Sequence, residues 1–558
     1  MKKKAALLVA FVLAFSVFAA GCASSDDGTD AGQTEESQAA EVETEAKVLN
    51  VQAGPSLETI DPAINATVDG GNLIVHAFEG LLKLDENNRV VPGLAERFDV
   101  SDDGLTYTFH LREGLEWSDG SPLTASDFVY AWKRLADPNT AAPYGAILNM
   151  VRGFEEATFP DHPNPDALAV SAPDDNTFVV ELKNPCVYFD KIASFSACVP
   201  VQQATIDANG EAWSSNPEAY ITSGPYCMKT YAKGDKIVFA KNPYYWDAER
   251  ITFDEIVWKL MEDNVAAYAA YEKGALQMVQ SVPTEEVAAL SGRPDFHMKP
   301  TLDTCYLSFN LRRRPFDDAR VREALSLAID REYVAKTVLQ GTCLPAYNMV
   351  GPGVSDAAEG SSFAAVSLQK YGKHYGDTDY ETALARAREL MAEAGYPNGD
   401  GFPAISYLCD NRDDHKALAK YLQQAWAKLG INCSIEVQGW KTVNEDRRQS
   451  AFDIICSNWI FDYDDPSNLL ELFETANRNN GGGYSNPAFD RLLADARAAR
   501  TPEAHYELLH QAEQQLLQDA ACAPVAYYND VYLQSEKLTG TWHSPYGYWY
   551  FMYGALAE

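Results

Sequence analysis

The chain is poor in the residues from which metal and covalent sites are usually built. Its 10 cysteines, at 22, 186, 198, 227, 305, 343, 409, 433, 456 and 522, are scattered, and there are only 9 histidines. No CxxC pair and no Cys/His cluster occurs, so neither a zinc site nor a disulfide scaffold is indicated. Cys186 with Cys198 is the one candidate disulfide, and several of the others sit in apolar runs as small core residues. Basic residues are also scarce, 45 against 80 acidic ones, and the net charge of -35 disfavours sequence-blind contact with nucleic acid or anionic headgroups. There is no GxSxG elbow, Walker A loop, HExxH, EF-hand loop or Rossmann fingerprint, and no lysine-plus-hydroxyl pair follows Gly481-Gly482-Gly483. Asp462, Asp464 and Asp465 share a turn without a matching histidine cluster. No enzymatic role, metal or cofactor is therefore expected.

What is present begins with an address. Lys2 to Lys4 form a basic start, Ala5 to Val17 an apolar run, and Phe18-Ala19-Ala20-Gly21 leads with small residues to Cys22. This is a secretory signal whose apolar run is too short for a dependable membrane span. It resembles a bacterial lipoprotein signal, which implies cleavage after residue 21 and lipid on Cys22; a plain secretory signal is the alternative. Loss of the three lysines takes the charge to -38. Residues 22–47 then read as a tether, since eight acidic residues and no basic one lie between Ser24 and Glu45 with almost nothing apolar to bury. The remaining length suits roughly three to four domain-sized units.

Beyond the tether, strand and helix patterns alternate. The apolar spacing of Leu73, Ile74, Ala77, Phe78, Leu81 and Leu82 reads as a short helix ending near Gly80. Leu105, Tyr107, Phe109 and Leu111 alternate as a half-buried strand, and Thr124 or Ser126 caps a helix over 127–135. Val170 to Leu182 reads as paired extended runs, and 237–240 and 256–260 as strands before a helix over 262–274. Leu302 starts an apolar strand, followed by a helix over 318–339 ending at Gly341 and another over 380–394 ending at Gly395. Asp414 is expected to cap the next helix; Ile431 to Val437 is then a strand arriving at Trp440, and Phe452 to Cys456 a strand arriving at Trp459. Pro502 to Ala520 reads as an amphipathic helix before an extended return over 525–531.

Two successive strand ends thus deliver tryptophans, the second inside Ser457 to Pro466, SNWIFDYDDP. A carboxylate flanked by aromatic rings can fix an ammonium group while the rings cover apolar ligand surface. Ligands in open α/β sheets commonly sit at such strand termini. A turn-capping Asp462 and a core-packing Trp459 are the plainer alternative.

The segments GLAERF, DGLTYTFHLREGLEWSDGSPLTASDFVYAWKRL and ADPNTAAPY resemble the bacterial family 5 extracytoplasmic solute-binding proteins, in their oligopeptide-binding branch. The resemblance continues through Thr222 to Tyr226, KNPYYWD at 241–247, FDDARVREALSLAIDRE at 316–332, WKTV at Trp440, NWIFDYDDP and AEQQLLQDAACAPVAYY. It implies an α/β, two-lobed periplasmic-binding-protein-like fold of type II, in the large cluster with an extra subdomain, with mixed sheets flanked by helices and a hinge between the lobes. The implied division is 48–82, 201–302 and 528–558 for lobe I, 83–200 for an inserted subdomain, and 303–527 for lobe II. The implied role is capture of oligopeptides between the lobes and delivery to the permease subunits of an ABC importer. The protein would act as a monomer, anchored through Cys22 on the extracytoplasmic face of the membrane. A glycan, modified peptide or metal chelate as ligand, or peptide-signal reception, are the alternatives kept open.

Carried over by position, Asp462 would pair the peptide ammonium, Trp440 and Trp459 would line side-chain pockets, and Arg447 and His415 would meet the peptide carboxylate. Tyr144 and Tyr463 complete the expected ligand-binding set. Cys456 is a departure: it stands where the well-known oligopeptide binders have a carboxylate-pairing arginine, and so removes a bidentate partner.

Overall fold

The computed structural model describes residues 46–54, 57–159, 161–376 and 378–557. The expected signal segment, Cys22 and nearly all of the tether lie outside the described residues. Two long antiparallel strands, Phe296–Phe309 and Cys522–Gln534, organise everything else, because both lobes hang from them. They stand at the centre of an 11-stranded sheet. On one side Met278–Val279, Val48–Ala53, Glu255–Leu260, Lys236–Lys241 and Tyr226–Ala232 follow in order; on the other come Ile454–Ile460, Ile405–Asp410 and Cys433–Gln438.

Each flank contains parallel neighbours. Val48–Ala53 runs parallel to Glu255–Leu260, and Ile405–Asp410 runs parallel to both Cys433–Gln438 and Ile454–Ile460. Parallel strands are covered on both faces by the helices that connect them, which explains the apolar runs seen in sequence. Leu49, Val51, Phe239 and Trp258 are wholly buried on the first-lobe side, and Leu307, Phe309, Tyr407, Trp426 and Ile454 on the second. Full burial of each such large side chain contributes about 2–3 kcal/mol.

The ladder between the two long strands slips between Pro300 and Thr304. There the Thr301 hydroxyl donates to the Tyr528 carbonyl at 2.8 Å, the Leu302 N–H turns to the Pro545 carbonyl at 2.8 Å, and the Phe461 N–H donates to the Leu302 carbonyl at 3.0 Å. The strand thus changes partners within four residues, and both backbone groups of Leu302 find new ones.

A separate four-stranded antiparallel sheet, in the order Ala95–Val100, Thr106–Leu111, Thr177–Glu181, Val170–Asp174, packs its apolar face on the helix Ala125–Ala136. That helix starts at Thr124 in a capping box with Asp127. Its far end carries Arg134, which donates through both terminal nitrogens to Asp61 at 2.9 and 2.6 Å. Asp61, only 2% exposed, also receives the Trp213 indole N–H at 2.9 Å and the Ala63 N–H at 3.0 Å. One buried carboxylate therefore fastens the small sheet's helix to the loop before the first-lobe helix Val68–Ala77.

Three local expectations are corrected. The helix over 318–339 is broken into Ala319–Leu327 and Arg331–Tyr333 followed by a π turn, Val334–Val338. Asp330 recaps the chain on the Tyr333 N–H, and the buried Arg331 guanidinium takes up the Ser326, Ile329 and Pro524 carbonyls that the break exposes. The cap position of Asp413–Ala427 is Arg412, and Asp414 instead sits in the first turn, paired with Arg412 at 2.6 Å. Cys186 and Cys198 are separate free thiols, each buried in apolar surroundings that raise its pKa, on either side of the helix Phe189–Ala193.

Replacing Asp61 by alanine leaves the Arg134 charge buried and unpaired, so urea unfolding of Asp61→Ala should show a loss of about 3–5 kcal/mol. A loss below 1 kcal/mol would mean that the pair does not hold these elements together.

Candidate functional site

The strand Ile454–Ile460 ends as Phe461 turns onto Leu302, and the next residues form a tight turn at the seam between the lobes. The Asp465 N–H returns to the Tyr463 carbonyl at 2.9 Å, and the Asp465 side chain accepts the Ser467 N–H at 2.9 Å, starting the short helix Ser467–Leu470. The turn gives its three carboxylates different surroundings. Asp465 is fully buried and meets His505 at 3.0 Å; burial pushes its pKa up, but the His505 charge overrides this and holds it below the ordinary range. Asp464 accepts the Ser355 N–H at 2.7 Å, and Lys191 donates to its carbonyl at 2.5 Å.

Asp462 differs from both, because among the described residues no cation pairs with it. Its neighbours are neutral. The Asn468 amide donates to it at 3.3 Å, and the Tyr144 hydroxyl is a further neutral neighbour. Burial pushes its carboxyl up to about 7, with the Asn468 and Tyr144 donors acting in the opposite direction. A buried carboxylate held at that value is poised to receive a positive group. The Tyr144 ring packs edge-on against Phe195 at 5.1 Å.

Asn468 was not singled out from sequence, yet it joins two residues that were. Its side-chain carbonyl accepts the Trp459 indole N–H at 2.7 Å and the Asp462 N–H at 3.1 Å, while its amide faces the Asp462 carboxylate. One amide therefore orients Trp459 and Asp462 together. Six residues of separation across a tight turn leave no periodic signal by which this could be read.

The other expected residues fall into distinct settings. Tyr463 is buried, and its ring stacks flat on Tyr188 at 5.4 Å and 5°, so that one face is covered by protein from the opposite lobe. Trp440 is 51% exposed at the start of the helix Trp440–Arg448. Arg447, on the same helix, donates to Asn444 at 2.9 Å and to the Cys456 carbonyl at 3.3 Å, while its Nε is buried without a partner. His415 is buried between Asp410 at 2.7 Å and the Asn458 side-chain oxygen at 3.0 Å, with both ring nitrogens engaged. Burial opposes a charge on this ring, but the neighbouring Cys456 sulfur and the Asp410 carboxylate outweigh it and raise the His415 pKa.

Asn458 continues this network, donating to both oxygens of Asp303 at 3.2 Å; burial pushes the Asp303 carboxyl up to about 6. Sequence reading missed Asn458 and Asp303, which meet because the strands Phe296–Phe309 and Ile454–Ile460 pair antiparallel. The structure thus gathers Tyr144, Trp459 and Asp462 at one place, and joins His415 through Asn458 to Asp303. It gives no direct contact from Trp440 or Arg447 to Asp462. Among the described residues no cluster of three or more His, Cys, Asp or Glu could hold a metal ion, and no helix is long and apolar enough to cross a membrane.

Comparison with known proteins agrees with this architecture. Residues 89–481 match the family model for bacterial extracellular solute-binding proteins, family 5. The chain is 34% identical over 481 residues to the periplasmic oligopeptide-binding protein OppA of Salmonella typhimurium, covering 85% of this chain and 86% of the relative. It is 29% identical over 549 residues to the oligopeptide-binding protein OppA of Bacillus subtilis, covering 96% and 97%. The crystal structure of Haemophilus influenzae OppA in complex with the peptide RPPGFSPFR superposes with a TM-score of 0.81 at 28% identity, over 92% of this chain and 100% of that one. With its two lobes, its hinge strands and a match across most of its length, the chain belongs to the family 5 bacterial extracellular solute-binding proteins.

Proposed function

We propose that this protein captures oligopeptides between its lobes and hands them to an ABC importer, with no covalent step of its own. The observation that carries this reading is Asp462, a buried carboxylate with the neutral Asn468 amide as donor and, among the described residues, no cation of its own. A peptide α-ammonium supplies the missing charge, Tyr144 approaches from the first-lobe side, and the ring of Trp459 offers apolar contact once its N–H is satisfied by Asn468. The names of the relatives, oligopeptide-binding proteins, support the same ligand class. At the other pole, His415 and Arg447 are the proposed partners of the peptide carboxylate, with Trp440 as an exposed wall. His415 would act there through the Asp410 and Asn458 network. Within this reading, residues 83–200 are an insertion in a discontinuous first lobe, and 303–527 form the second.

Native mass spectrometry of gently purified protein should release a ladder of short peptides. Asp462→Asn should bind a free-amine peptide at least tenfold more weakly, while N-acetylation of that peptide should weaken binding to the wild type and barely change binding to Asp462→Asn. An acetylated peptide bound as well as the free amine by the wild type would overturn the role of Asp462.

Affinity should also depend on pH with a defined sign. In the empty site Asp462 holds a proton below about 7, and ammonium binding must expel it. Isothermal titration should therefore show affinity for a free-amine peptide falling up to about tenfold per pH unit below 7. It should fall again above about 8, as the α-ammonium is lost.

We further propose a lipid anchor on Cys22, holding a monomer at the extracytoplasmic face of the membrane. Lys2 to Lys4, the apolar run and the small residues before Cys22 support it. Labelled palmitate should enter the protein in bacterial cells, and Cys22→Ser should abolish that label and release the protein from the membrane fraction.

A further inference from the structure

A cavity of about 490 Å³ lies in the first lobe, apart from the cleft at Asp462. Ile74 and Phe78 from the helix Val68–Ala77, Leu82 from the adjoining hairpin, Val199, and Trp542 and Tyr550 from the C-terminal segment line it, and none of its lining residues falls between 303 and 527. Its size is that of a small-molecule pocket rather than of a single side-chain slot.

Four of the five charged groups at its wall are engaged by opposite charges, and the fifth, Glu86, is exposed at the rim. Glu79 accepts from Lys83 at 2.7 Å, from the Trp246 indole at 2.7 Å and from the Tyr245 hydroxyl at 2.5 Å. Arg250 lies over the Tyr553 ring at 4.8 Å and pairs with Asp247 at 3.2 Å, and Asp85 is held by Arg89 at 2.6 Å. With Glu86 in solvent at the rim, a charged guest inside would be desolvated without a free counter-charge beside it, so the interior favours a neutral one. One wall is flat: Trp542 stacks on Tyr550 at 4.8 Å and 9°, and on Tyr553 at 5.8 Å and 8°. Aromatic side chains add contacts to a guest's rings whether they meet them at a face or at an edge.

The partition between this chamber and the cleft is thin. Ser196 lines the chamber, and the preceding residue, Phe195, packs against Tyr144, a neighbour of Asp462. We propose that the chamber is a second binding site, for a neutral, flat aromatic or alicyclic molecule of two or three rings, separate from the peptide cleft. The site does not depend on the ligand assigned to the cleft.

The test uses purified full-length protein and N-phenyl-1-naphthylamine, a neutral probe of two linked aromatic units, followed by its fluorescence. The wild type should give a saturable one-to-one enhancement that persists in Asp462→Asn and in the presence of saturating peptide. Val75 and Val91 line the chamber and are half-buried, so tryptophan at either position can fill it from the rim. Val75→Trp and Val91→Trp should each weaken probe binding at least tenfold and leave peptide affinity within twofold. Enhancement that does not saturate, or that is unchanged in both variants, would overturn the proposal. So would enhancement abolished by peptide, which would place the probe in the cleft.

Discussion

The constraint on which the structure depends is that two strands serve both lobes at once. Phe296–Phe309 and Cys522–Gln534 must pair with each other along most of their length and also present free edges to different neighbours on each side. A continuous, evenly twisted ladder would fuse the molecule into one stiff slab. The slip between Pro300 and Thr304 avoids this by handing the strand's hydrogen bonds to Pro545 and Phe461. Leu302 keeps both backbone groups hydrogen-bonded at the slip, and hinges in general need only a few residues to alter their dihedral angles.

The junction created there sets the electrostatics of the site. A carboxylate at the meeting of two lobes is stripped of water by both, and Asp462 shows the result in its raised pKa. Asp465, in the same turn, avoids that fate through the His505 charge, and Asp464 meets Lys191 at 3.5 Å. Within one turn of chain the protein thus spends two acids on structure and keeps the third in an environment that only an incoming cation completes. The raised pKa is a liability of the empty protein, since a group that binds its proton more tightly when folded than when unfolded loses stability as pH rises between those two values. The same imbalance gives a ligand ammonium its advantage.

What could be read from sequence follows how local each interaction is. The Thr124 and Asp127 capping box lies within four residues and shows in the letters; so do the apolar strand ending at Trp459 and the helices that start after Asp379 and Thr501. The break after Leu327 does not show, because it rests on Arg331 finding the Pro524 carbonyl almost two hundred residues away. The role of Asn468 is hidden by the turn that folds it back. The ring of Tyr463 reads as available until Tyr188 covers it from the other lobe. Resemblance between sequences carried the architecture further than periodicity could, yet it said nothing of Asn458 and Asp303, whose contact depends on the register of two paired strands.

The stack of Tyr188 on Tyr463 and the reach of Lys191 to Asp464 join the lobes through protein alone. Any free energy they contribute favours the joined arrangement by the same amount whatever lies between the lobes. Apparent affinity scales with the fraction of molecules already in the binding-competent state, so such contacts multiply every dissociation constant by one common factor. Changes at Tyr188 or Lys191 through evolution would therefore tune how much solute is needed to fill the protein while leaving its order of preference among solutes intact.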